Sequence, residues 1–169
     1  EKISKVKNFL IKKKIDYLFV TAPENVAWIL NIRGYDSMYS PIPNARLLIK
    51  NNGNIYLFSE SEKVTKIKNK FFNEIKFFNE SDIDKTLKIL LGKNILIDSL
   101  SCSIYYKNLF HRENKIIEKI DPIYFFKSIK NSTEIKNMKK SHEIDGVALT
   151  KFLFWLKKNF KKKKITEIS

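Results

Sequence analysis

Short apolar runs recur along this chain, and each is separated from the next by a turn or by a segment of helical period. The runs occupy residues 15–21, 44–50, 54–58, 74–78, 95–98 and 115–118. They are too short for ordinary helices and rich in β-branched and aromatic side chains, so they read as strands. Between them, apolar residues return every three or four positions. Ile3, Val6, Phe9 and Leu10 do so in residues 1–14, and Val26, Ala27, Ile29 and Leu30 do so after Pro23. Residues 62–70, the stretch carrying Ile83, Leu87, Ile89, Leu90 and Leu91, and residues 101–111 supply three more helices. Helix, strand, helix, hairpin, then helix alternating with strand specifies an α/β domain: a mixed sheet with helices on both faces.

The punctuation fits that order. Pro23 suits the first turn of a helix, with Thr21 or Ala22 as cap and Glu24 at the positive end. Gly34 is expected to end that helix. Asn51-Asn52-Gly53 is a hairpin signal that tolerates positive φ at both central positions. Ser59 and Glu62 have capping-box spacing, Ser81-Asp82 opens the next helix, and Gly92 closes it. Asp121-Pro122 marks a turn.

From Lys130 the pattern changes. Asn131 and Glu134 have cap and N3 spacing, and helical period then persists to about Asn159, well beyond the usual helix of about 11–12 residues. Ile135, Met138, His142, Asp145, Leu149, Phe152 and Leu156 fall on one stripe. The cluster from Lys157 to Lys164 sets positive charge against the negative end of the dipole. Ile165–Ser169 then reads as the start of another element, with Thr166 as its cap.

A formal charge of +15 invites a nucleic-acid reading. However, Arg33, Arg46 and Arg112 are the only arginines among 33 basic residues. The guanidinium that reads phosphate and guanine in bidentate fashion is nearly absent, which favours a solvated lysine surface. A basic nucleic-acid-binding module therefore stands as an alternative only. No run approaches the roughly 20 apolar residues that span a bilayer, so the chain reads as soluble, without a membrane segment. Cys102 is the only cysteine. It allows no internal disulfide, suits a reducing cytoplasm and rules out a thiolate zinc site.

The most distinctive stretch is Ala27-Trp28-Ile29-Leu30-Asn31-Ile32-Arg33-Gly34-Tyr35-Asp36, followed by Ser40-Pro41-Ile42-Pro43-Asn44-Ala45. An apolar helix ends in Asn-x-Arg-Gly-x-Asp and meets a Pro-x-Pro pair before a strand, a junction that fixes one loop conformation. Arg33 and Asp36 at i, i+3 suggest a structural ion pair. Asp98 and Asp121 sit where a carboxylate caps a helix or points into a cleft, and capping is the simpler role. His142 and Asp145 have no visible nucleophile beside them, so a structural histidine is the default. Cys102 lacks an activating neighbour and reads as a small buried thiol. The four glycines are scattered, which excludes a phosphate-binding loop.

Residues 21–34 with Asp36 and residues 40–45 resemble the middle domain of three-domain aminopeptidase P enzymes, Xaa-Pro aminopeptidases of the creatinase–prolidase superfamily. A second block, running through residues 127–135, 142–149, 152–156 and 165–168, resembles the first helix of the same family's catalytic "pita-bread" domain. The resemblance implies a creatinase N-terminal-like middle domain over residues 1–127. Residues 128–169 would be the linker and first helix of a truncated catalytic domain.

It also implies hydrolysis of the bond between an N-terminal residue and proline by a pair of divalent metals, usually manganese, in the full-length enzyme. The family's ligands lie beyond the TEIS-like segment, so no catalytic or metal residue is carried onto this chain. Trp28, Asn31, Arg33, Gly34, Asp36, Pro41, Pro43, His142 and Asp145 become structural or interface residues. The implied partners are the remaining domains, a proline-containing peptide and a second copy in a homodimer. A pseudoenzyme or interaction domain on the same fold is the other alternative.

Overall fold

The structure is a computed structural model that describes residues 1–67, 75–161 and 165–167. The chain divides into two compact units, residues 1–128 and 129–169.

The first unit contains α1 (Lys2–Lys12), β1 (Tyr17–Val20), α2 (Pro23–Leu30), β2 (Arg46–Lys50), β3 (Ile55–Phe58), α3 (Ser61–Ile67) and β4 (Ile75–Phe78). It continues through α4 (Ile83–Lys88), β5 (Asn94–Ile97), α5 (Ile104–Leu109), β6 (Lys115–Glu118) and α6 (Pro122–Ser128). The six strands form one sheet in the order β4-β3-β2-β1-β5-β6. β2 pairs antiparallel with both β1 and β3, while β1–β5, β5–β6 and β3–β4 pair in parallel. The chain reverses once between β1 and β2 and again in the hairpin. It therefore returns β3 to the direction of β1, and the mixed sheet expected from the sequence results.

Alternation along the strands sorts the core into two layers. Leu18, Val20, Leu47, Ile49 and Leu57 pack with Val6 and Leu10 of α1, Val26, Ile29 and Leu30 of α2, and Ile123 of α6. Phe19, Leu48, Phe58, Ile95 and Ile97 face the other way, onto Ile83 and Leu87 of α4 and onto Phe110, which follows α5. Phe19 meets Tyr106 and Phe110 edge to face, at ring separations of 5.5 and 6.0 Å. Helices thus cover both faces of the sheet.

Several turns differ from the sequence reading. Asn31, not Gly34, terminates α2, at φ 51° and ψ 43° in the left-handed region. Asparagine visits that region more readily than other residues with a Cβ because its short polar side chain can interact with the nearby backbone. In the hairpin only Gly53 has positive φ, at 97°, and its N–H donates to Lys50 O at 2.9 Å. One turn followed by a left-handed glycine replaces a turn with two positive φ values.

Ser59 does not start α3, which begins two residues later. Its N–H instead donates to Phe78 O at 3.2 Å, prolonging the β3–β4 pairing. The box before α4 belongs to Asn79 and Asp82 and closes a 3₁₀ turn at 80–82, while Gly92 has the positive φ expected of it, 61°. Ile89 and Leu91, read as part of the helix, follow its end at Lys88 and are 68% and 51% exposed. The expected helix residues 68–70, Glu74, Lys162–Lys164 and Ile168–Ser169 lie outside the described residues.

The second unit is dominated by α7 (Ser132–Asn159). Asn131 Oδ1 accepts from the Glu134 N–H at 2.9 Å, and Glu134 Oε2 accepts from the Asn131 N–H at 2.9 Å, the reciprocal cap read from the sequence. No residue of α7 is buried.

Candidate functional site

The loop from Asn31 to Ala45 leaves α2 at one end of the sheet and returns into β2. Ile32 is buried, and its N–H donates to Ala27 O at 3.1 Å, tying the loop to the helix. Arg33 Nη1 donates to Ile32 O at 2.8 Å and to Ala27 O at 3.4 Å. The Gly34 N–H donates to Pro41 O at 3.4 Å, and Pro43 is buried against Gly34. A Cβ on Gly34 would lie 2.7 Å from Pro43 Cα. Gly34 is therefore required by close approach rather than by a positive φ, which it lacks. Trp28 packs against the core, with Lys2 Nζ 4.3 Å above its ring.

The expected Arg33–Asp36 pair does not form. Asp36 Oδ1 instead pairs with Lys63 Nζ of α3 at 2.7 Å, and Asp36 Oδ2 accepts the Asn44 N–H at 2.6 Å. Lys63 and the Asn44 N–H hold the Asp36 carboxyl below the usual carboxylate range. Lys63 is the partner that spacing could not supply, since it lies 27 residues further along the chain. Between this loop and α3 is a cavity of about 370 Å³, lined by Ile32, Pro43, Ala45 and Leu57 with Arg33, Asp36, Ser59 and Lys63. The outer turn exposes Tyr35, Met38 and Tyr39 at 97, 86 and 92%. Pro41 is exposed as well.

A second polar cluster lies where the parallel strands β1 and β5 end. Asp98 accepts the Leu100 N–H at 2.9 Å and the Asp121 N–H at 3.1 Å. Asp121 accepts the Ile123 N–H and Asn25 Nδ2, each at 2.8 Å. Asn25 Oδ1 accepts from Lys127 Nζ at 2.7 Å, and Tyr124 donates to Glu24 at 2.7 Å. Asp121 takes the capping role read from the sequence, at the start of α6, and joins α2 to α6 through Asn25, whereas Asp98 holds a turn and the Asp121 N–H while Ser103 caps α5. Asn25, fully buried, was not singled out, because its polarity resembles that of an exposed helix position until its partner 96 residues away is known.

Burial is the main cause of the rise in the Asp121 carboxyl to about 6, with Asp98 adding to it and the Ile123 N–H, Asn25 and Lys127 opposing it. The donor set does not suit a divalent cation, because each carboxylate already accepts two N–H donors. Among the described residues no group of three His, Cys, Asp or Glu converges on a metal position.

His142 and Asp145 are exposed on α7, away in sequence from the loop cluster. Cys102 is half-buried, and burial with nearby Asp98 and Glu118 pushes its thiol up to about 11, the opposite of an activated nucleophile. Among the described residues no helix is long and apolar enough to cross a membrane.

The family model described as Creatinase/Prolidase N-terminal domain matches residues 1–134. Xaa-Pro aminopeptidase 1 of Dictyostelium discoideum is 32% identical over 165 residues, covering 96% of this chain and 26% of that protein. Xaa-Pro aminopeptidase ApepP of Drosophila melanogaster is 30% identical over 157 residues, covering 89% of this chain and 25% of that protein. The chain thus spans about a quarter of the length of these relatives.

Among solved structures, the X-prolyl aminopeptidase of Caenorhabditis elegans, described as a cytosolic enzyme with a di-nuclear active site, aligns with a TM-score of 0.80 at 24% identity. The alignment covers 99% of this chain and 28% of that one. The prolidase of Pyrococcus horikoshii OT3 aligns with a TM-score of 0.63 at 23% identity, covering 88% and 41%. At these identities the likeness to the solved structures establishes the fold.

Proposed function

The chain belongs to the creatinase/prolidase N-terminal domain family, and from that premise we propose that it is a non-catalytic portion of a longer, metal-dependent Xaa-Pro aminopeptidase. The observation that carries this reading is the extent of the match to such enzymes. The Dictyostelium alignment covers 96% of the chain, both compact units included. In this reading residues 1–127 are a middle domain, and residues 128–169 are the linker and first helix of the catalytic domain.

The residues described above fit a supporting role. Asp36, Lys63 and Gly34 fix a loop, while Asp98, Asp121 and Asn25 fix a helix junction. Their polar atoms are committed to protein partners. A divalent metal, with manganese the first ion to test, would be held by residues outside this chain. There it would activate water against the Xaa-Pro carbonyl. The proposed partners are the rest of the polypeptide, a peptide with proline in its second position, and a second copy of the enzyme. A cytosolic location is proposed by analogy with the worm enzyme.

The test is release of the N-terminal residue from an Xaa-Pro-Xaa tripeptide by the full-length polypeptide. Release is expected to stop on chelation and to return with added manganese, while residues 1–169 alone release nothing. A folded full-length protein that binds no divalent metal and leaves the peptide intact would overturn the peptidase reading in favour of a pseudoenzyme.

A further inference from the structure

We propose that the cavity between the 31–45 loop and α3 binds a small carboxylate with an apolar body. The proposal does not depend on the peptidase reading. Its volume, about 370 Å³, lies at the small end of the range for ligand pockets, about 300–1,000 Å³. Ile32, Pro43, Ala45 and Leu57 give it apolar walls, which reward an aliphatic or aromatic body of the size of a leucine or phenylalanine side chain.

The polar groups select the charge. Asp36 is committed to Lys63 and to the Asn44 N–H, so the carboxylate within the cavity has its charge matched. What remains are donors. Arg33 spends Nη1 on two backbone carbonyls, and its other guanidinium N–H groups are uncommitted among the described residues. Ser59 is 4% exposed, lines the cavity, and its hydroxyl has no hydrogen-bond partner among the described residues.

A guanidinium and a hydroxyl lining one cavity match a carboxylate, which accepts from both. An ammonium would gain little there, because the charge of Asp36, the carboxylate lining the cavity, is already matched by Lys63. The ligand is therefore an acid lacking a free α-amino group, such as a simple branched acid or the C-terminus of a peptide.

The experiment is a ¹H–¹⁵N NMR titration of the full chain with N-acetyl-L-leucine, N-acetyl-L-leucinamide, 4-methylpentanoate and acetate. Shifts are expected at the Gly34 and Ala45 amides with N-acetyl-L-leucine. Removing the charge, as in the amide, or the apolar body, as in acetate, should weaken binding by about tenfold or more. Arg33→Gln is expected to weaken it similarly. Ser59→Ala, which removes a hydroxyl with no partner, is expected to weaken it about threefold without moving the other resonances. Equal affinity for the branched acid and the acetylated one assigns a free acid as ligand, and a preference for the acetylated one assigns a peptide C-terminus. Equal response to acid and amide, shifts scattered over the lysine surface, or no shift at these amides would overturn the proposal.

Discussion

Gly34 and Gly146 show how one residue type carries opposite consequences. A Cβ at Gly34 would meet the Pro43 backbone at 2.7 and 2.9 Å, whereas one at Gly146 in α7 would meet nothing within 4 Å. Gly34→Ala is expected to destabilise the first unit by about 1–3 kcal/mol, read as a lower urea midpoint at unchanged slope. Gly146→Ala should stabilise α7 by about 0.5–1 kcal/mol, read from its helical signal on heating.

Asp121 makes a pH-dependent prediction. Its folded carboxyl, near 6, lies above the ordinary value of 3.8, so between those values the native state holds more protons than the unfolded state. Its contribution is fully present below about 4 and is lost as pH rises through about 6. Relative to Asp121→Asn, the wild-type chain should lose stability over that window, with a slope of at most about 1.4 kcal/mol per pH unit in urea titrations. Asp36 acts in the opposite sense: its lowered carboxyl stabilises above its ordinary value, and that stability is lost as pH falls further. Neither carboxylate's partner was visible in the sequence. Lys63 reaches Asp36, and Asn25 reaches Asp121, only through the packing of α3 and α2.

At the scale of elements, period was a better guide than punctuation. The strand runs and the helices α1, α2, α5 and α7 fall where apolar spacing put them, because burying one face of each decides its type. Caps were misplaced at α2 and α4 because several residues near each end can do the work. Asn31 and Asn79 do it, where Gly34 and Ser81 were the expected signals. At α7 local chemistry left no such choice, and Asn131→Ala is expected to cost about 1 kcal/mol. Hydrogen exchange of the amides in the first turn of α7 would report it. Amides of the first unit should keep their protection, since the cap's two hydrogen bonds are local.

Among the described residues, the buried core lies within residues 1–128, and no residue of α7 is buried. A chain ending at Ser128 is therefore expected to unfold in one transition, with a midpoint within about 4 °C of that of the first unit in the full chain. Scanning calorimetry would measure it.

The sequence alone determined the α/β class, the hairpin at Asn51–Gly53, the long capped helix and the family resemblance, because these rest on contacts or periodicities within about 20 residues. Tertiary structure decided that Asp36 pairs with Lys63 and that Pro43 closes on Gly34. It also decided that Asn25, Asp98 and Asp121 share one buried cluster and that Ser59 faces a cavity. Each of these depends on which faces of distant elements meet. Side-chain period constrains a face but does not name the residue opposite it.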